Sequence, residues 1–459
     1  MAKMHKLIQN EYIKTWKKLA TKMLFVIIVL AVAALVVISK LIDYDYKKYL
    51  NEVKNEAADF SYAIKEAETK KYPGYETDLE KYEFLLDNNV TVGSWKIQAA
   101  SEAYSYEVNK KSVTYNHSAE TRAKMLQSIE KDDWKKFCEL MVQSMKSQGK
   151  PEDYYWEYQY RLNKNIPLPD TTADMLEYPN DVIRSVAGAK NVLADYNSEE
   201  GIGDAIDTKT YDEMIAMGMY RLENNLKVNV LENKDFLGTG EINFWTVFGQ
   251  SSSLITVVGV LIIIVAGSSV ANEFSQGTIK FLLINPVKRW KILVSKYVMC
   301  ISMGFLMVLL LFVLSLLASM IFYGTDTLGS SCLELKNNEI LIENGIAYVF
   351  KNYMYRSVEV LVMATLAFAI SSVAKNSAMA IGISLFAMLM GSSVTSLLKT
   401  ELQQDWVRYL VFANTDFSSV INGTSGFANH TLGFAIGVVV IHLVVFFLIA
   451  WDGFTKREI

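Results

Sequence analysis

The chain has few of the residues that build stapled domains or small soluble enzymes. Cysteine occurs only at Cys138, Cys300 and Cys332, too few and too far apart for a disulfide scaffold. The four histidines (His5, His117, His430 and His442) have no cysteine or carboxylate at ligand spacing, which argues against a zinc site. No phosphate-cradling glycine loop is present. The one Gly-Lys pair, Gly149-Lys150, runs into Pro151 and has no glycine at the required distance before it. A Gly-x-Ser-x-Gly elbow is missing too. Proline is scarce: five of the six (73, 151, 167, 169 and 179) punctuate one region as turns, and Pro286 stands alone. These absences leave no self-contained enzyme. At 51% hydrophobic, the chain is also too apolar to be disordered.

What is present is charge sorted away from apolar runs. Crossing a bilayer takes about 20 mainly apolar residues. Six segments qualify: Met23–Ile42, Thr246–Val270, Tyr297–Tyr323, Ser357–Ala374, Ala378–Leu398 and Leu432–Trp451. The first is long for a signal peptide and has no convincing cleavage site after it, so it reads as a retained anchor. Six spans place both termini on one side. The flanks on that side carry 14 Lys/Arg against Glu11, Glu273, Asp452 and Glu458. Basic flanks mark the cytoplasm, so residues 43–243 are expected outside. That insert holds 37 Asp/Glu against 25 Lys/Arg, and 18 of the 25 tyrosines.

The insert reads as mainly helical. Tyr46–Lys70 is expected to continue the first span outward, Asp133-Trp134 opens a second helix, and Tyr211–Leu226 forms a third. Its tyrosines are read as the core and rim of a small domain, with a binding surface as the alternative. The expected fold is therefore an all-α polytopic membrane protein. Residues 1–22 form a cytoplasmic interfacial helix, 23–42 the first transmembrane helix, 43–243 a mainly α-helical extracytoplasmic domain, and 244–459 helices two to six. Within the spans, His442 is expected to bond to a neighbouring helix, Glu359 to lie within a turn of the outer boundary, and Lys40 to snorkel. No relay of carboxylates supports proton-driven pumping. Cys138 and Cys332 both fall outside and are read as free thiols.

One cytoplasmic stretch, residues 271–296, carries more information than its charge. It reads as a short amphipathic helix from Ala271, a turn at Asn285-Pro286, and a basic helix leading into the third span. Phe281-Leu282-Leu283-Ile284 is too apolar to face water, so it rests on lipid headgroups or docks into another protein. A basic loop would explain the lysines, but not the Glu273-x-x-x-Gly277-Thr278 spacing or the lone proline. At the N-terminus, Met4, Leu7, Ile8, Tyr12, Trp16 and Leu19 fall on one helical face opposite most lysines, as an interfacial helix requires.

Glu273 and Phe274, then Gly277-Thr278, Leu283, Pro286 with Arg289, and Lys296 form a pattern that resembles the permease subunits of ABC transporters of the ABC-2 type. The opening stretch around Glu11, Lys14 and Trp16 and the closing Phe454–Ile459 are similar to the same family. The resemblance implies that Glu273, Gly277 and Thr278 belong to a coupling segment, Pro286 and Arg289 to its elbow, and Lys296 to the entry of the third span. It implies docking of a separate ABC ATP-binding subunit that holds ATP and Mg, with no cofactor on this chain and no nucleic-acid partner. A second permease copy, or a related permease, completes the path through the lipid bilayer of the cell membrane. The implied cargo of export is amphipathic or hydrophobic: a peptide, a lipid or a drug. Two alternatives stay open: an ABC-type complex for antimicrobial peptide sensing or immunity without transport, and an ATP-independent receptor or scaffold.

Overall fold

Lipid offers no partner to backbone N–H and C=O groups, so apolar runs of this length must pair their own as helices. The computed structural model describes residues 2–53, 58–109, 112–115, 117–197, 208–228, 242–277, 287–336, 339–374, 376–402, 405–421, 425–427 and 430–456. Six of its helices are long and apolar enough to cross a membrane: Leu19–Glu52, Phe244–Ser275, Arg289–Tyr323, Gly345–Val373, Ser377–Lys399 and Leu432–Thr455. These are the six segments expected, most of them longer at one or both ends.

Burial divides the six unequally. The second and fourth spans are 61% and 56% buried over their most apolar stretch, whereas the other four lie between 17% and 28%. The second and fourth therefore form the middle of the bundle. The outer four present apolar side chains outward, among them Leu30 on the first, Phe386 on the fifth and Ile441 on the sixth. Close crossing inside the bundle depends on a small residue. A Cβ at Gly304 would come within 3.2 Å of both Ile262 and Val360, where the second, third and fourth spans meet.

The first and third helices contain 34 and 35 residues. At about 1.5 Å per residue they exceed the roughly 30 Å hydrocarbon core and must project from it. The first helix is described as far as Val53, and residues 58–60 are not helical, so it does not run on to Lys70. A separate helix, Ser61–Lys70, follows.

The insert between the first two spans has its own hydrophobic core. Leu85, Trp95, Met125, Phe137, Met141 and Tyr158 pack there, apart from the core of the spans. Trp95 and Tyr158 flank Phe137 at ring distances of 5.5 and 5.9 Å. Side-chain caps start its helices: the Asp133 carboxylate accepts from the Lys136 N–H at 3.0 Å, ahead of Trp134–Ser147. A cap of this kind is worth about 1 kcal/mol. Tyr104, Tyr155 and Tyr158 are buried, which gives part of the tyrosine enrichment its packing role. Cys138 is free and buried beside them, and burial pushes its thiol up to about 12.

The all-α expectation needs amending by two antiparallel hairpins. Tyr106–Asn109 pairs with Ser112–Tyr115, and Ser331–Lys336 with Glu339–Asn344. In the second, Leu333 faces Ile342 and Leu335 faces Ile340. Such apolar cross-strand pairs stabilise a short hairpin that helix periodicity does not reveal. The insert helix Thr208–Glu223 packs on strand Ser331–Lys336. The insert and the connection between the third and fourth spans therefore share one side of the bundle.

Candidate functional site

The segment after the second span is positioned from within the bundle. The helix Ile255–Ser269 is interrupted at Val270, and a short helix, Ala271–Ser275, follows it. The two backbone N–H groups at the break, of Val270 and Ala271, both donate to the Ser371 hydroxyl of the fourth span, at 3.2 and 3.0 Å. All three residues are buried, so this hydroxyl replaces bonds that the helix gave up. Gly277 ends the short helix with φ of +68° and nothing near its missing Cβ. Its role is conformational: a left-handed residue that an L side chain strains by about 1–2 kcal/mol.

The third span helix opens at Arg289. Lys296 lies two turns in and is 2% exposed. Its ammonium donates to Glu11 Oε2 at 2.8 Å and to Glu273 Oε1 at 3.1 Å. Glu11 belongs to the N-terminal helix Ala2–Lys17, and Glu273 to the short helix after the second span. Lys14 lies 3.8 Å from Glu11 and 3.9 Å from Glu273, so two cations face two carboxylates. A buried ammonium survives only with such pairing, because its desolvation costs several kcal/mol. The cluster thus ties the N-terminal helix to two neighbouring segments that lie far along the chain. The Tyr12 hydroxyl, bonded to the Ser302 hydroxyl, adds a second tie between the N-terminal helix and the third span.

The remaining sequence candidates are distributed around this joint. Phe274 packs partly buried against the core of the spans. Arg289 Nη1 donates to the Thr455 carbonyl at 3.5 Å, and Trp290 stacks near Trp451 at 6.3 Å between ring centroids. The entry of the third span is therefore bound to the end of the sixth. Thr278, Leu283 and Pro286 lie outside the described residues, as does the apolar stretch from Phe281 to Ile284. Trp16 meets Phe25 edge-on at 4.9 Å but is 44% exposed. Glu11 and Thr15 are the buried positions of the N-terminal helix, with Met4, Leu7, Ile8 and Tyr12 half-buried beside them, and Trp16 is left on the exposed face that an interfacial helix turns to lipid.

Three other expectations change in detail. His442 Nδ1 donates to the Val438 carbonyl of its own helix at 2.8 Å, instead of reaching a neighbour. Glu359 falls midway along Gly345–Val373, since that helix begins well before Ser357. Lys40 lies over the Tyr323 ring at 4.0 Å, a cation–π contact that lets it reach past the apolar stretch. Cys138, Cys300 and Cys332 are all buried thiols, none of them in a disulfide. Among the described residues, no group of His, Cys, Asp and Glu is placed to hold a metal ion.

Sequence reasoning missed Ser371, whose only signal was a pair of serines in an apolar run. It also missed the outer clamp. Trp245 Nε1 donates to the Thr327 carbonyl at 2.7 Å, and a Cβ at Gly345 would meet the Trp245 ring at 2.5 Å.

With this geometry in view, comparison with known proteins adds relatives. A family described as "Protein of unknown function (DUF2705)" matches residues 214–459. The match takes in the second to sixth spans with Glu273 and Lys296, and leaves out Glu11 and most of the insert. The chain is similar to the "Uncharacterized protein YhcI" of Bacillus subtilis (strain 168), 34% identical over 251 residues, which are 54% of this chain and 76% of that protein. It is similar also to the "Uncharacterized membrane protein YdbK" of the same organism, 34% identical over 223 residues, 48% of this chain and 85% of that one. Six candidate spans and this likeness agree on a multi-pass membrane protein.

Proposed function

The chain belongs to the DUF2705 family, and from that premise we propose that it is the permease subunit of an ATP-driven exporter of the ABC-2 type. The observation that carries this reading is the joint of Lys296 with Glu11 and Glu273. A push on the segment holding Glu273 reaches the third span and the N-terminal helix together, as a docking site for a motor requires. In this reading a separate ABC ATP-binding subunit, carrying ATP and Mg, docks on residues 271–296. Closure of the ATPase pair on ATP shifts the segment, and the spans pass between inward and outward access. A second permease copy or a related permease completes the path. The charge bias of the flanks supports both termini in the cytoplasm of a cell membrane and residues 43–243 outside it. The cargo is amphipathic or hydrophobic: a peptide, a lipid or a drug.

The separate core of the insert favours a second reading. A region with a core of its own is suited to hold an extracellular peptide, so the same ATP-linked complex would sense or sequester it without export.

Purification of the tagged chain from its native membrane tests the proposal. An ATP-binding chain that copurifies, and that is lost on Glu273→Arg, supports it. An intact membrane complex with no ATP-binding chain sinks both ATP-linked readings and leaves the receptor or scaffold. Transport in proteoliposomes, set against peptide binding by the full chain, separates export from sensing.

A further inference from the structure

Beside the ion cluster lies a cavity of about 660 Å³ that the coupling reading does not use. Its volume falls within the range of small-molecule sites, about 300–1,000 Å³. Its walls come from five places: the end of the N-terminal helix, the start of the first span, the end of the second span with Glu273, the start of the third with Lys296, and the start of the fifth. One wall is basic. Lys14 and Lys296 are engaged with carboxylates, but Lys17 and Lys18 have no ion-pair partner among the described residues. A second wall offers donors. Thr15 and Thr21 are only 9% and 4% exposed, and their side chains make no hydrogen bond to another described residue. A third wall is apolar, built from Leu24, Ile264, Val265 and Ile381 of three different spans.

Free cations and buried hydroxyls in one cavity call for an anion rich in acceptor oxygens. The apolar wall leads from that polar floor along the spans, where acyl chains run. We propose that this cavity binds the phosphate headgroup of an anionic bilayer lipid, with Lys17 and Lys18 on the phosphate, Thr15 and Thr21 on its oxygens, and the first acyl carbons against Leu24 and Ile264. A free phosphate shares the headgroup chemistry but leaves the apolar wall uncovered, which is why the lipid is the occupant assigned. A lipid seated there spans the kink at Lys18 and the segment that carries Glu273, so bilayer composition sets how firmly the N-terminal helix is held. The inference does not rest on an ATPase partner, and failure of the copurification leaves it standing.

Native mass spectrometry and thermal melting of the full chain in neutral detergent test the site. The probes are phosphatidylglycerol, phosphatidylcholine and inorganic phosphate. Phosphatidylglycerol is expected to be retained and to raise the melting temperature, with little effect from phosphatidylcholine. The pair Lys17→Gln and Lys18→Gln weakens retention roughly fivefold per lysine, the scale of one lysine near an anionic surface. Lys6→Gln with Lys22→Gln removes the same charge outside the cavity and leaves retention unchanged. Thr21→Val removes a donor without changing shape and weakens retention on its own. Equal retention of both lipids, or equal loss in the two lysine pairs, overturns the site. Stabilisation by inorganic phosphate that matches phosphatidylglycerol overturns the lipid assignment in favour of a soluble anion.

Discussion

The Lys296 ammonium lies 2.8 Å from Glu11 Oε2, a carboxylate oxygen 285 positions away in the chain. With Glu273 at 3.1 Å, it joins the N-terminal helix, the segment after the second span and the third span through one ammonium. The energetics of that sharing are open to direct measurement.

Lys296→Met removes the buried cation and leaves two carboxylates facing each other. Breaking a buried pair in this way costs about 3–5 kcal/mol. The triple variant Lys296→Met with Glu11→Gln and Glu273→Gln removes the uncompensated charge and recovers most of that loss. Thermal unfolding of the single, double and triple variants in detergent measures both outcomes. Simple additivity across the cycle would show that the three groups act independently.

Ser371→Ala leaves the Val270 and Ala271 N–H groups buried without an acceptor, at a cost of about 1–3 kcal/mol. The loss is local, so hydrogen exchange at these two amides should accelerate before the spans unfold. Unchanged exchange at both would remove Ser371 from its positioning role.

Gly277→Ala places a side chain at φ of +68°, a strain of about 1–2 kcal/mol confined to the end of the short helix. In a complex reconstituted with the ATP-binding subunit proposed above, cargo-stimulated hydrolysis is expected to fall while the melting of the spans stays within a few degrees. Full stimulation in Gly277→Ala and in Glu273→Gln alike would separate this segment from coupling.

Sidedness has a chemical readout, because the three native cysteines are buried. Cysteine placed at the exposed Ser101 of the insert should react with an impermeant maleimide in intact cells. Cysteine at the exposed Lys288 should react only after permeabilisation. The reverse pattern would invert the topology.

Cys138 gives the insert a pH signature. Its thiol, held at about 12 by burial, stays protonated in the folded chain at a pH where the unfolded chain has lost the proton. The folded state then binds more protons than the unfolded one, so insert stability falls as pH rises from about 9 toward 12. Iodoacetamide at pH 9 should modify Cys138 slowly when folded and quickly in denaturant. Rapid modification of the folded chain would contradict its burial.

The spans were legible because a bilayer demands long apolar runs and tolerates few substitutes for them. Glu273, Gly277 and Lys296 stood out for their spacing in an otherwise ordinary basic stretch. Their meeting with Glu11 was not legible, since no local pattern encodes a contact across the whole first half of the chain. The N-terminal helix shows the limit of amphipathic reasoning, because its apolar stripe carries no sign that Glu11 faces a buried lysine. The hairpin at residues 331–344 was hidden for a different reason. Its apolar residues alternate over too few positions to compete with the long runs beside it.

The ion joint has an electrical consequence. Lys14, Lys296, Glu11 and Glu273 carry two charges of each sign, and a rigid shift of such a neutral group through the membrane field does almost no net work. A lone lysine moved the same way would meet about 2.3 kcal/mol for each 100 mV it crosses. The joint itself therefore adds little voltage dependence to any movement of the segments it ties together.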